Sequence, residues 1–103
     1  MEIKSRVVKD YQVFEILDDI TSENVMQLKD MVISGHDPKY KKVVLNFKNV
    51  TYVNSFALSV LMSIHKELEK KNTTISITNA APSIVALLKM TKLHEVFPIL
   101  GDL

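Results

Sequence analysis

Val43-Val44-Leu45-Asn46-Phe47 is the stretch that decides the fold class. It is a compact, β-branched apolar run, and such a run predicts a central strand covered on both faces of a sheet. Asn54 and Ser55, a few residues later, are both N-cap residue types, and an amphipathic pattern follows over roughly Phe56 to Lys71. A buried strand that leads into a long helix is typical of α/β proteins. The apolar side of the predicted helix consists of Ala57, Leu58, Leu61, Ile64 and Leu68.

The chain before this stretch predicts a hairpin and one helix. Ile3 to Val8 and Tyr11 to Leu17 are rich in β-forming residues, and the polar pair Lys9-Asp10 separates them, which predicts two antiparallel strands. The Thr21-Ser22 pair then offers two suitable N-cap residues. An apolar stripe predicts that a helix follows this pair and ends near Gly35. The members of the stripe are Val25, Leu28, Met31 and Val32.

The chain after the second helix predicts two more strands around a third helix. Thr74 to Thr78 alternates around two isoleucines, which predicts a short strand. Pro82 stands where a first helical residue tolerates proline, and Pro98 limits the last apolar segment to an edge strand. The order β-β-α-β-α-β-α-β predicts an α/β fold. We expect a mixed sheet of about four to five strands, with an N-terminal hairpin and a largely parallel centre, covered by three helices.

The bulk composition predicts one globular domain over residues 1–103. With 47% hydrophobic and 24% charged residues, the chain has enough apolar surface for one core. Its formal net charge of +1 creates no strong field that would attract nucleic acid or anionic lipid. The sequence has no apolar run long enough to span a bilayer, and Met1-Glu2-Ile3-Lys4 begins no apolar signal-peptide stretch. We therefore expect a cytoplasmic protein that neither binds nucleic acid nor inserts into a membrane.

The sequence offers little of what an enzyme or a metalloprotein needs. It contains no cysteine, which excludes disulfides, thiolate catalysis and cysteine-based zinc sites, and its two glycines cannot build a phosphate-binding loop. The paired carboxylates Asp18-Asp19 favour a solvated turn over acid–base catalysis. His36, His65 and His94 lie too far apart in sequence to pair on one helix, so each is expected at the surface or its boundary. We expect no cofactor, no metal and no enzymatic activity.

Methionine is the remaining residue type with an expected role. Four methionines stand at positions predicted to be helical, and filling gaps in the core is the usual role of methionine there. The four are Met26, Met31, Met62 and Met90.

Several segments, in order along the chain, resemble a known family. The strand and helix between Val43 and Met62 join through Asn54-Ser55-Phe56-Ala57-Leu58-Ser59, which is similar to the acidic-Ser-Ser-Gly-Leu-Gly type turn of STAS domains. The segment from Ile77 to Leu93, the closing Val96-Phe97-Pro98-Ile99 and the helix start Ile20-Thr21-Ser22-Glu23-Asn24 also resemble this family. The chain as a whole resembles a small STAS domain of the anti-sigma-factor-antagonist type.

The resemblance implies a protein-binding module. Anti-sigma-factor antagonists dock on a kinase-type anti-sigma factor in a partner-switching pathway, and the kinase phosphorylates the second serine of the turn. The implied partner is an anti-sigma factor or a serine kinase-like protein, and a homodimer stays open. The expected partner-binding residues lie in the turn and in adjacent loops at one end of the sheet, where recognition residues are common. They are Asp18, Asp19, Asn54, Ser55, Phe56 and Asn79.

The turn departs from the family pattern at its phosphorylation site. Phe56 occupies the usual acceptor position and cannot be phosphorylated, so Ser55 becomes the candidate acceptor, with an N-cap as its alternative role. Ser59, one helical turn further on, is a second candidate. Phe56 is either an exposed apolar anchor for a partner or a core residue. The alternative function is a STAS scaffold without phosphorylation, or a subunit of a larger complex such as a transporter or stress-signalling assembly.

Overall fold

The computed structural model describes residues 1–101 of the chain. An initial pair of strands is followed by alternating helices and strands, and a 3₁₀ turn, Leu93–Glu95, precedes the last strand. The elements are β1 (Ile3–Val8), β2 (Tyr11–Ile16), α1 (Val25–Gly35), β3 (Lys42–Asn46), α2 (Ser55–Glu69), β4 (Thr74–Thr78), α3 (Pro82–Met90) and β5 (Ile99–Leu100).

The five strands form a sheet in the order β1-β2-β3-β4-β5. β1 and β2 are antiparallel, and every later pair of neighbours is parallel. The predicted fold class, a mixed sheet with an N-terminal hairpin and a parallel centre, is therefore confirmed. Lys9 turns the hairpin with a positive φ of 56°. Pro98 directly precedes β5, which lies at an edge of the sheet, as the missing N–H of proline favours.

Helices α1, α2 and α3 cover the same face of the sheet. Each parallel strand pairs with the next one along the chain, and right-handed crossovers that always advance in one direction place their helices on one side. Side chains from these helices meet alternate residues of the strands in one core cluster. The largest fully buried side chains of this core include Ile16, Leu28, Leu45, Phe47, Leu61, Ile64, Ile77 and Leu88.

The opposite face, which we call the helix-free face, corrects one prediction about β3. Leu45 faces the helices, whereas Val44 and Asn46 face away from them because side chains alternate along a strand. Within residues 1–101 helices therefore cover β3 on one face, and the expectation of a strand covered on both faces is wrong. Val44 is nevertheless fully buried, with Val13 on β2 and Ser76 on β4 beside it in register. Neighbouring strands can bury a central residue without a helix above it.

Helix α1 begins later than its predicted N-cap. The N-cap is Asn24, not Thr21 or Ser22, because residues 21–24 form a separate turn. In that turn the Thr21 hydroxyl accepts a hydrogen bond from the Glu23 N–H at 3.2 Å, and the Asn24 side chain accepts one from the Thr21 N–H at 2.9 Å. The buried residues of the helix are Val25, Leu28 and Val32, which confirms the predicted stripe except at Met31, whose side chain is exposed.

Gly35 ends α1 for a steric reason. Its φ is not positive, so the left-handed conformation that often places glycine at a helix end does not apply. A Cβ at this position would lie 3.3 Å from the buried ring of Phe14. That distance is shorter than the optimal separation of two carbon atoms. The close approach of α1 to β2 therefore explains the glycine.

The turn from α1 to β3 is built around two buried polar side chains. The Gln12 amide donates to the Gly35 carbonyl at 2.8 Å and accepts from the Asp37 N–H at 2.8 Å. His36 is 6% exposed, and its Nε2 lies 2.7 Å from the carbonyl oxygen of Tyr40. The expectation that His36 lies at the surface or its boundary is therefore wrong, because the turn folds its ring inward onto a backbone partner.

Three of the methionines expected in the core are exposed instead. Met26, Met31 and Met90 stand out from the helices, while Met62 is partly buried against the core. Each helix packs one side on the sheet and leaves the other side to solvent. The core-filling prediction is therefore wrong for these three. Their large apolar side chains lie on the surface.

Candidate functional site

The start of α2, which carries the predicted binding turn, is capped by Asn54. Its backbone is extended (φ −93°, ψ 171°), and its Oδ1 accepts a hydrogen bond from the Ala57 N–H at 2.8 Å. That bond satisfies one of the N–H groups that the first turn of a helix leaves unpaired. The N-cap role belongs to Asn54, so the alternative role of Ser55 as an N-cap is wrong.

Ser55 and Phe56 are the first two residues of α2, and both are exposed. Phe56 is 50% exposed, which excludes the core role left open for its ring, and its role as an anchor for a partner stays a prediction. The Ser55 hydroxyl lies at a helix start, where free N–H groups and the helix dipole favour an anion. The Ser59 hydroxyl, by contrast, donates to the Phe56 carbonyl at 2.6 Å.

Asp19 positions the loop that precedes α2. Its Oδ1 accepts hydrogen bonds from the backbone N–H groups of Thr51 at 2.6 Å and Tyr52 at 3.1 Å. The Thr51 hydroxyl lies 3.0 Å from both carboxylate oxygens. These hydrogen bonds, that of the Thr51 backbone first, lower the pKa of Asp19 below its ordinary value of 3.8. A parallel bridge between Ile20 and Val53 joins the same two loops.

Asp18 serves a different part of the chain. Its Oδ2 accepts a hydrogen bond from the Glu2 N–H at 2.7 Å, and the Leu17 N–H donates to the Glu2 carbonyl at 3.0 Å. The two adjacent carboxylates therefore fasten two different segments, and both remain partly exposed to solvent. Among residues 1–101 no group of three or more metal-ligating side chains is present.

An apolar groove of about 280 Å³ lies between the loop before α2 and the outer side of α3. Tyr52 and Met90 border it with more than half of their surface exposed, 54% and 82%. The exposed Phe56 belongs to the helix that begins just after this loop. The sequence does not reveal the groove, because its walls come from segments 30 residues apart and because Met90 is expected in the core. The remaining lining residues are Thr51, Val53, Ser83, Ile84, Ala86 and Leu87.

Asn79 lies at the same edge of the sheet but belongs to another surface. It has a left-handed backbone with φ 57°, and its Nδ2 donates to Asn46 Oδ1 at 3.3 Å. Asn46 points to the helix-free face. The structure therefore does not bring Asn79 together with Ser55 and Phe56, whereas it does join the Asp19 loop to the start of α2.

The order of the elements and the position of the turn at the start of α2 agree with a known family. The STAS domain family matches residues 2–103. The chain belongs to the STAS domain family. The resemblance inferred from the sequence is thereby confirmed. No helix within the described part of this STAS domain has both the length and the apolar character needed to cross a membrane.

Three similar proteins are named as anti-sigma factor antagonists. The anti-sigma F factor antagonist of Paenibacillus polymyxa is 28% identical over 83 residues, which cover 81% of this STAS domain and 69% of that protein. A candidate anti-sigma factor antagonist from Thermotoga maritima has a crystal structure with a TM-score of 0.84 at 22% identity, covering 98% of this chain and 86% of that one. The anti-sigma factor antagonist SpoIIAA, in its unphosphorylated form, has a TM-score of 0.78 at 12% identity, covering 99% and 89%. At these identities the structural likeness concerns the fold.

Proposed function

We propose that this STAS domain is a regulatory protein of the anti-sigma-factor-antagonist kind, which binds a partner protein in a partner-switching pathway. The partner class is an anti-sigma factor or a serine kinase-like protein, and the protein acts in the cytoplasm by binding and not by catalysis. The observation that carries the proposal is the exposed Phe56 at the helix start where the family has its regulatory turn, directly after the loop whose Tyr52 borders the apolar groove. Exposed apolar side chains that border one groove, as Tyr52 and Met90 do, mark a surface for another protein.

The proposed docking surface consists of Tyr52, Phe56 and Met90. Aromatic side chains are enriched among the residues that dominate binding energy, and methionine adapts its shape to a partner. Asn54 and Ser55 contribute a polar rim. Asp19 supports this surface by holding the loop before α2, and Asp18 is a further proposed contact residue from the same loop as Asp19. Asn79 contributes to binding where a partner also reaches the helix-free face.

Ser55 is the proposed phosphate acceptor. A phosphate adds roughly −1.5 to −2 charge near neutral pH. At the first residue of α2, unpaired N–H groups and the helix dipole stabilise that charge within the domain. One residue away, at Phe56, the same charge makes burial against an apolar partner unfavourable. Phosphorylation therefore releases the partner without unfolding the domain.

A Phe56→Ala variant and a Met26→Ala control test the docking surface. Met26 on α1 is 49% exposed, so it matches Phe56 in exposure while lying on another helix. The partner is first identified as an anti-sigma factor or kinase that co-purifies with the protein from its native organism. We expect F56A to stay folded and to bind this partner at least tenfold more weakly, since truncating such an anchor costs about 2 kcal/mol or more. Equal affinities for F56A, M26A and the wild type would exclude Phe56 as the anchor.

Incubation with the identified kinase and ATP tests the acceptor. Mass spectrometry of the peptide that covers residues 54–59 locates the phosphate. Phosphate that disappears in Ser55→Ala and remains in Ser59→Ala supports Ser55 as the acceptor. Phosphate on Ser59 alone overturns the assignment of Ser55, and phosphate on no residue excludes the switch.

One observation favours the second candidate function, a STAS scaffold or a subunit of a larger assembly. Phe56 occupies the position at which the family accepts phosphate, and its exposed ring suits a permanent contact. A scaffold would bind its partner with the same affinity before and after incubation with kinase and ATP. Release of the partner by ATP, seen only when the kinase is present, would exclude the scaffold function.

A further inference from the structure

A polar pocket opens on the helix-free face, at the carboxyl ends of β3 and β4. Its volume is about 430 Å³, which falls within the size range of small-molecule sites. Its walls come from β1, β2, β3 and the loops that follow β3 and β4. The polar residues that line it are Arg6, Glu15, Asn46, Lys48, Asn49 and Asn79.

Asn46 is the buried polar group of this pocket. It is 6% exposed, and its Oδ1 accepts hydrogen bonds from the Lys48 N–H at 2.9 Å and from Asn79 Nδ2 at 3.3 Å. The oxygen of the amide is thus fully used, and the amide nitrogen remains as a donor. Within residues 1–101 the Asn46 Nδ2 has no hydrogen-bond partner. This amide nitrogen is available to donate to an acceptor that enters the pocket.

Two cations border the same pocket. Arg6 and Lys48 line it, and neither makes an ion pair with any residue of the described chain. Arg6 lies on β1 opposite Val13, and Glu15 on β2 lies opposite Asn46, so both side chains project to the helix-free face. Glu15 offsets one of the two positive charges, which leaves the lining with a net charge of +1.

We propose that this pocket binds a small anion through a single carboxylate or phosphate group. The planar guanidinium of Arg6 presents paired donors that match either group, and Lys48 adds a point charge. Asn46 Nδ2 supplies a directed donor from the base of the pocket. Glu15 disfavours a second negative group, so the pocket suits a ligand with one anionic group and not a polyanion. This site lies across the sheet from α2, and it goes beyond the proposed docking function.

Titration with inorganic phosphate and, separately, with acetate at constant ionic strength tests the site and distinguishes the two anionic groups. The readout is the ¹H–¹⁵N NMR spectrum, followed at the side-chain amide of Asn46 and the backbone amides of Lys48 and Asn79. We expect saturable shifts at these amides with at least one of the two anions. Arg6→Gln and Lys48→Gln should each weaken binding about tenfold, as expected for the loss of a charge-assisted hydrogen bond.

Two further variants keep the test independent of folding effects. Asn46→Asp preserves the two accepted hydrogen bonds but replaces the donor with a negative charge, so it should abolish binding. Lys4 carries the same charge as Arg6 on the same face of β1, but it does not line the pocket. The anion affinity of the Lys4→Gln variant should therefore stay within about twofold of the wild type. Absence of saturable shifts with both anions overturns the proposal. Equal affinity in the wild type, R6Q, K48Q and N46D also overturns it.

Discussion

At the scale of single residues, Asp19 holds the loop that leads into α2. One carboxylate accepts three hydrogen-bond donors from Thr51 and Tyr52. Without the Asp19 carboxylate, the backbone N–H groups of Thr51 and Tyr52 would lose these hydrogen-bond partners. The position of the exposed Tyr52 ring therefore depends on a side chain from the preceding βα loop.

Replacing Asp19 with Asn should destabilise the domain by about 1 kcal/mol, because a hydrogen bond to a charged acceptor contributes more than one to a neutral acceptor. The free energy of unfolding, measured by urea denaturation at neutral pH, checks this value. Asp18→Asn is the matched control, since Asp18 accepts one backbone N–H, that of Glu2. A larger loss in D18N than in D19N would contradict the positioning role of Asp19.

The lowered pKa of Asp19 predicts the sign of an acid dependence. A carboxylate whose pKa is lower in the folded state stabilises the protein above the unfolded-state pKa, near 3.8. That stabilisation is lost as the pH falls through the lower folded-state pKa. The difference in unfolding free energy between wild type and D19N should therefore be constant near neutral pH and shrink below about pH 4. Parallel pH curves for the two proteins down to acid would refute this linkage.

Gly35→Ala tests the steric explanation of that glycine. Alanine is favoured over glycine within a helix by about 1 kcal/mol, but the added Cβ would lie 3.3 Å from the buried Phe14 ring. We expect the overlap to prevail and the free energy of unfolding to fall by about 0.5–1 kcal/mol. In a Phe14→Leu background the same change should become neutral or stabilising, which a double-mutant cycle measures. An equal effect in both backgrounds would remove Phe14 as the cause.

At the scale of elements, the start of α2 combines a structural cap with an exposed surface. Asn54 satisfies the Ala57 N–H, while the next two side chains stay exposed. This division of roles allows Ser55 and Phe56 to change, or to be modified, without loss of the helix. The cap and the proposed docking surface are adjacent in sequence but energetically separate.

Asn54→Ala should lower the free energy of unfolding by about 1 kcal/mol, as expected for loss of an N-cap. Ser55→Ala is the control and should change it by less than about 0.5 kcal/mol, because its exposed side chain makes no capping bond. Thermal and urea denaturation of both variants provide the measurement. If S55A were the more destabilised variant, the capping role would have to be reassigned to Ser55.

At the scale of the whole molecule, the sheet is most deeply buried at its central strands. The central strands β2, β3 and β4 carry most of the buried strand residues, while β1 is largely exposed and β5 has two residues. We expect the backbone amides of the central strands to exchange with solvent only through global unfolding. The amides of β1 and β5 should exchange faster, which native-state hydrogen exchange measures. Protection of β1 equal to that of β3 would contradict this ordering.

The one-sided arrangement of helices also separates the two proposed sites. The docking surface lies on the helical side, and the anion pocket lies on the helix-free face beneath the same strand ends. Variants of Phe56 and of Arg6 therefore act on different faces, and the failure of one proposal leaves the other intact.

Much of the candidate site could be located from the sequence. The helix that starts after Asn54, with Ser55 and Phe56 in its first turn, follows from residue types and a 3.6-residue period that are local properties of the chain. The family resemblance follows from the same segments. The direction of the Phe56 ring could not be predicted, because an aromatic residue at a helix start fits both a core and a surface. The groove that Tyr52 and Met90 border could not be predicted either, because two distant segments form it.

The order of strands and helices is what the sequence determined by itself, because apolar periodicity, caps and prolines act within a few residues of one another. Tertiary structure alone decided the burial of residues that the apolar stripes of the helices do not account for. Val44 is buried by neighbours remote in sequence, whereas Met90 is left in solvent. Asp19 and Asn79 contribute to different surfaces, because the loops at the carboxyl ends of the strands border both faces of the sheet. The burial of such residues depends on long-range packing, which the local pattern around them does not encode.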